Sequence, residues 1–187
     1  MRIAALHGPH DFRIEEKPQP LLGENDCLVR VRACGVCHSE IHQWEVRVEG
    51  LDYPRYIGHE VTGEVAGVGK QVRDFKSGDR VAVWTDRQGF AEMVTVPAQQ
   101  VFPLSPKIAF AHALAEPLGC TTNGVWKANV QLGDSIVLVG TGFMGLILLQ
   151  ELKLRGPSQI NAIDVRDAML ELAKELGATV TINPPER

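Results

Sequence analysis

Apolar residues recur along this chain in two different rhythms. Up to about residue 130 they fall in short β-type runs broken by Gly and Pro. Cys27-Leu28-Val29-Arg30-Val31-Arg32-Ala33 alternates in part, as a half-buried strand does. Residues 61–68 and 80–84 are β-branched runs beside glycine turns, and Met93-Val94-Thr95-Val96 is closed by Pro97. Short strands punctuated in this way predict a small barrel or sandwich. After Gly133-Asp134 the texture changes. Residues 135–139 form a continuous apolar run, expected of a strand in a parallel sheet covered on both faces. Residues 143–154 predict a helix, and 159–163 a second strand ending at Asp164. Residues 168–176 predict a second helix with Gly177 just past its end, and 179–182 a third strand. The order is βαβαβ, one mononucleotide-binding half of a doubly wound sheet. The expected domains are therefore 1–130, β-rich, and 131–187, α/β.

A doubly wound dinucleotide domain has a second half. The 187 residues stop before it, so an unfinished sheet edge and a truncated product are expected. Hydrophobic content of 44% and charge of 22% fit a soluble globular protein. A net charge of −4 without a Lys/Arg cluster argues against a nucleic-acid partner. The longest apolar stretch, 136–149, carries three glycines and is shorter than the ~20 residues of a membrane span, so no membrane partner is expected. The N-terminal residues do not read as a signal peptide, and four cysteines, three of them within 27–37, are not a disulfide framework. A cytoplasmic location follows as the expectation.

Three residues carry candidate metal chemistry. Cys37 sits in Cys37-His38-Ser39-Glu40, His59 in Gly58-His59-Glu60, and Glu116 in Ala115-Glu116-Pro117-Leu118. Thiolate, imidazole and carboxylate together suit zinc and leave a fourth position open. Cys34 and Cys37 also spell Cys-x-x-Cys, but the β-rich surroundings are not those of a redox pair. Cys120 is the rival of Glu116. Further on, Gly140-Thr141-Gly142-Phe143-Met144-Gly145 lies between an expected strand and an expected helix. Gly140 would allow the tight turn, Gly142 the approach of a pyrophosphate to the helix start, and Gly145 close helix–strand packing. Asp164 lies 24 residues beyond Gly140. A carboxylate there accepts from ribose hydroxyls and repels a 2′-phosphate, so NAD is expected. Arg166 keeps NADP as the lesser alternative.

The ordered set resembles the zinc-dependent medium-chain dehydrogenases that act on alcohols, polyols and threonine. The similarity runs through Val31-Arg32-Ala33-Cys34-Gly35-Val36-Cys37-His38-Ser39-Glu40-Ile41-His42 and Tyr56-Ile57-Gly58-His59-Glu60-Val61-Thr62-Gly63-Glu64-Val65. It continues through Gly78-Asp79-Arg80-Val81, Gly89-Phe90-Ala91-Glu92, Glu116-Pro117-Leu118 and the glycine run. The resemblance implies a β-rich GroES-like catalytic barrel followed by the first half of an α/β Rossmann domain. It implies one catalytic zinc held by Cys37, His59 and Glu116, as in the polyol branch. Glu60 would stand behind the metal as a neighbour or transient ligand, and in some relatives takes the metal in place of the glutamate at 116. Ser39 and His42 would form a proton relay, and Glu40 would hold the ligating imidazole. Gly140, Gly142, Phe143, Met144, Gly145, Asp164 and Arg166 would contact the dinucleotide.

The implied reaction is hydride transfer between a secondary alcohol or polyol and NAD. Trp84 would line the substrate pocket or pack in the core. No cysteine lies between Val83 and Val101, so the four-cysteine structural-zinc lobe of many relatives is not expected. A homo-oligomer remains compatible, without the contacts that lobe provides. Two alternatives stand beside this reading: a truncated, non-catalytic remnant with a binding role, and a zinc-free quinone or enoyl reductase of the same superfamily, which would lack the ligand set.

Overall fold

The computed structural model describes every residue except Val48, Leu51, Arg87 and 185–187, the last being the end of the expected second domain. The chain packs as two compact units, Met1–Glu116 and Pro117–Arg187.

In the first unit, β1 (Arg2–Gly8) and β2 (Asp11–Glu16) form an antiparallel hairpin. A second sheet is built from β3 (Asp26–Cys34), β4 (Glu60–Val68), β5 (Arg80–Trp84), β6 (Met93–Pro97) and β7 (Val101–Pro103), in the order β6-β3-β4-β5-β7. All its pairs are antiparallel. Its core is almost entirely valine: Val29, Val61, Val65, Val81, Val83, Val94, Val96 and Val101, with Cys27 and Val72. β-branched side chains pack well on a pleated surface, which is why these runs become strands. Gly63 is required where β4 crosses β3, because a side chain there would collide with the Arg30 carbonyl. One short helix, α1 (His38–Glu45), interrupts the strands.

The helix α2 (Ala115–Ala128) starts at the end of the first unit and contributes Val125 to the core of the second. Then follow β8 (Ser135–Val139), α3 (Phe143–Lys153), β9 (Gln159–Ile163), α4 (Asp167–Leu176) and β10 (Val180–Ile182). The strands are parallel in the order β10-β9-β8. Leu149 and Leu152 of α3 and Ala173 of α4 pack on Ile160 and Ala162 of β9, with Ile136 and Leu138 of β8 partly buried beside them.

The expectation that β8 is covered on both faces is corrected. Val137 and Val139 are 62% and 77% exposed. Right-handed β–α–β crossovers leading outward from one strand place their helices on the same side of the sheet. Here α3 and α4 pack against each other on one face, so alternate residues of β8 are left outside. Among the described residues β8 pairs with β9 alone. No helix of the described residues is long and apolar enough to cross a membrane.

Candidate metal centre and nucleotide loop

The metal candidates come from three separate stretches of chain, and His59 is grouped with Cys37 in one cluster and with Glu116 in another, while Cys37 and Glu116 share none. Cys37 is the N-cap of α1, with extended backbone (φ −73°, ψ 156°). Cysteine is not among the usual capping residues, which is why this helix is hard to read from Cys37-His38-Ser39-Glu40. The buried Glu40, three residues on, completes a capping box with Cys37: its Oε2 accepts the Cys37 backbone N–H at 2.9 Å. Its other oxygen faces His59 Nδ1 at 2.6 Å. Glu40 thus fixes two candidate ligands at once. With Nδ1 engaged, the ring nitrogen left for a metal is Nε2, which lies 4.0 Å from Glu60 Oε1.

Among the described residues there are two groups of ligand atoms, each with its members within 4.8 Å of one another: Cys37, Glu40 and His59, and His59, Glu60 and Glu116. His59 is the shared member. Glu116 comes from the first turn of α2, and Glu60 opens β4. Gly35 makes the crowding possible. Its N–H donates to the Glu60 carbonyl at 2.9 Å, and a side chain at 35 would collide with the Glu60 carboxylate. Burial pushes the Glu60 carboxyl above its ordinary pKa; His59 works against that shift, while Glu116 and Glu40 add to it. A cation would relieve this crowding of carboxylates. Thiol, imidazole and carboxylate are donors that suit zinc, so the residues present fit such an ion.

Cys34, the other half of Cys-x-x-Cys, belongs to neither group; burial drives its thiol up to about 12. Cys120 is likewise outside both groups. Ser39 and His42 lie on α1, both exposed, and no hydrogen bond joins them. Trp84 stands opposite Glu60 in the β4–β5 register and is 41% exposed. A mostly apolar hollow of about 390 Å³ beside α1 is lined by Ala4, Phe12, Val36, Glu40, Ile41, Trp44 and Phe90, not by Trp84.

In the second unit Gly140 has φ +91°, a conformation that favours glycine. A side chain at Gly145 would collide with the Gly140 carbonyl oxygen. Gly142 is the N-cap of α3 with no side-chain cap, so the first-turn N–H groups are left for a ligand, and Phe143 and Met144 follow on an exposed surface. Asp164 follows β9 and is 8% exposed. Hydrogen bonds from Arg166 and Thr141 hold its carboxyl well below the usual range, and Asp164 in turn raises the Arg166 guanidinium. Thr141, which is fully buried, was not singled out from sequence. The signal available was a hydroxyl between two glycines of the turn.

Residues 23–106 match the alcohol dehydrogenase GroES-like domain. Rat sorbitol dehydrogenase is 31% identical, over 95% of this chain and 58% of its own length. L-threonine 3-dehydrogenase of Bacillus velezensis is 33% identical, over 91% of this chain and 58% of its own. A solved zinc-binding dehydrogenase of Sinorhizobium meliloti with NADP bound superposes with a TM-score of 0.83 at 27% identity, over 98% of this chain and 61% of its own. The chain is similar to medium-chain dehydrogenases over most of its length, and the GroES-like match lies within its first unit. It spans 58–62% of the length of the curated dehydrogenases it matches.

Glu40 gives this site a measurable dependence on a residue outside the Cys37, His59 and Glu116 set. Replacing Glu40 with Gln should weaken zinc binding about 10–100-fold, the usual worth of a group that orients a ligand. Competition of the variant with a chromophoric chelator reads this directly. Unchanged affinity would mean that Glu40 only caps α1.

Proposed function

We propose that this chain is the metal-binding and nucleotide-loop part of a zinc-dependent oxidoreductase. It would act on secondary alcohols or polyols with a nicotinamide dinucleotide. The observation that supports the reading is that His59 belongs to two groups of donors, one with Cys37 and Glu40 and one with Glu60 and Glu116, and that its Nδ1 is held by Glu40. The sorbitol and threonine activities of the relatives belong to longer chains, and their extension to this one is part of the proposal.

Cys37, His59 and one of Glu60 or Glu116 would hold the ion, with the second glutamate beside it. When bound, zinc supplies a Lewis acid that makes an alcohol hydroxyl easier to deprotonate. The residues of the chain do the rest. Glu40 keeps the His59 ring in one orientation. Ser39 and His42, on the exposed side of α1, offer a hydroxyl and an imidazole that can carry a proton to solvent. The glycine turn and the open N-terminus of α3 suit a pyrophosphate. On Asp164 alone the dinucleotide would be NAD. A zinc-free reductase would have no use for the donor set, which weighs against that alternative.

Cobalt(II) substitution tests the proposal without relying on turnover. The cobalt protein should show the visible bands of a four-coordinate thiolate site, and these should shift when a secondary alcohol or polyol is added. Failure to take up cobalt, or bands indifferent to every alcohol tried, would overturn it.

A further inference from the structure

Residues 55–59 run beside α1 and are tied to it at both ends. His59 Nδ1 faces Glu40 Oε1 at 2.6 Å, and Arg55 Nε donates to Gln43 Oε1 at 2.8 Å. Glu40 and Gln43 are three residues apart on the helix, so their Cβ atoms are neighbours about 5–6 Å apart. Both sides of the Arg55 contact are fixed. The Arg55 backbone N–H and carbonyl exchange bonds of 2.8 Å with Leu6, and Gln43 Nε2 donates to the Ser39 carbonyl at 3.2 Å. Four residues of chain reach at most about 14 Å, so the Arg55 backbone lies within that distance of the histidine shared by both donor groups.

The charge of Arg55 is unanswered. Arg2, Arg13, Arg32 and Arg166 hold carboxylates at 2.7–3.1 Å. Arg55 is half-buried and forms no ion pair among the described residues; its guanidinium meets a neutral amide oxygen there. Nη1 and Nη2 donate to none of those residues. A charge taken out of water is costly unless it is paired, and Gln43 brings no charge. An oxyanion would complete the arrangement, because a guanidinium fork matches a carboxylate or a phosphate with two parallel hydrogen bonds. With Nε already held on Gln43, little side-chain freedom is lost on binding.

We infer that Arg55 is a specificity-determining residue, its Nη1 and Nη2 binding an oxyanion at the far end of a polyol whose reacting hydroxyl lies at the metal. This rests on the metal-dependent reading given above. A neutral polyol enters the same site without using the fork, so an anionic polyol is the better ligand. The fork grips a part of the substrate that does not react, and that grip helps to place the hydroxyl that does.

Titration of the cobalt-loaded 187-residue chain with D-sorbitol, D-gluconate and D-sorbitol 6-phosphate tests this, with the visible cobalt bands as the readout. One of the two anionic polyols should shift the bands with a midpoint at least about tenfold below that of sorbitol, the worth of one charge-assisted hydrogen bond. Which of them does so tells a carboxylate from a phosphate. Arg55→Ala should bring that midpoint up to the level of sorbitol, and Arg55→Lys should keep part of the difference. Midpoints no lower than that of sorbitol for both anions would overturn the inference while leaving the metal-dependent reading in place. So would an Arg55→Ala chain that keeps the full advantage, as it would if the metal itself held the anion. Bands that respond to none of the three would overturn both. If Arg55→Ala fails to fold, Arg55→Gln, which removes the charge but keeps a side chain able to reach Gln43, makes the same comparison.

Discussion

Replacing His59 with alanine should reduce bound zinc from about one equivalent to almost none. His59 is the only residue common to both groups of donors, and its Nδ1 is already fixed by Glu40 at 2.6 Å. Removing the ring separates Cys37 from the Glu60 and Glu116 side of the site and leaves three carboxylates without their shared partner. Groups that merely orient a ligand are worth about 10–100-fold in metal affinity, so loss of the shared ligand should exceed the upper figure. Metal analysis after dialysis against a weak chelator measures the result. His42→Ala, on the exposed side of α1, should keep its zinc. Retention of a full equivalent by His59→Ala would remove the basis for the site.

Gly145→Val should dismantle the second unit while leaving the first folded. Overpacking costs about 1–3 kcal/mol where neighbouring side chains can yield. At Gly145 the obstacle is the carbonyl oxygen of Gly140. A backbone atom held by the turn has little room to move, so the cost should exceed that range. The unit buries few large side chains, Leu149, Leu152, Ile160 and Leu170 among them, and a small core has little stability to lose. Hydrogen exchange followed by mass spectrometry should show loss of protection in β8 and β9, with β3 and β4 unchanged. Gly142→Ala, whose new methyl would meet only Arg166 at ordinary contact distance, should be mild by comparison. Unchanged protection in β8 of Gly145→Val would show that the close α3–β8 approach is not required.

Much of the strand framework was legible along the chain. The runs at 80–84, 135–139 and 159–163 appear with the bounds expected of them, because β-branched residues flanked by glycine carry a strong local signal. The β1–β2 hairpin was not read, since Asp11-Phe12-Arg13-Ile14-Glu15-Glu16 mixes charges into both faces of an edge strand. Nor was α1, whose cap is a cysteine helped by a buried glutamate, and whose apolar periodicity is short. The coverage of β8 was misjudged for a different reason. A continuous apolar run looks the same whether one face or both will be packed.

The chemistry divides in the same way. Local sequence was enough to single out Cys37, His59 and Glu116 as candidate donors and Gly140, Gly142 and Gly145 as a candidate phosphate turn, because residue type and immediate neighbours carry that information. Convergence was another matter. Whether residues 37, 59, 60 and 116 meet, and whether Glu60 stands with Glu116 or apart from it, depends on the β3–β4 pairing and on where α2 begins. No spacing encodes that. Asp164 makes the same point most sharply. Its place at the end of a strand could be read from the sequence, but the partners of its carboxylate could not. Thr141, 23 residues away, and the exposed Arg166 fill its oxygens, and only the folded turn brings those donors to it. A carboxylate's chemistry is set by the donors around it, and in this chain tertiary contacts supply most of them.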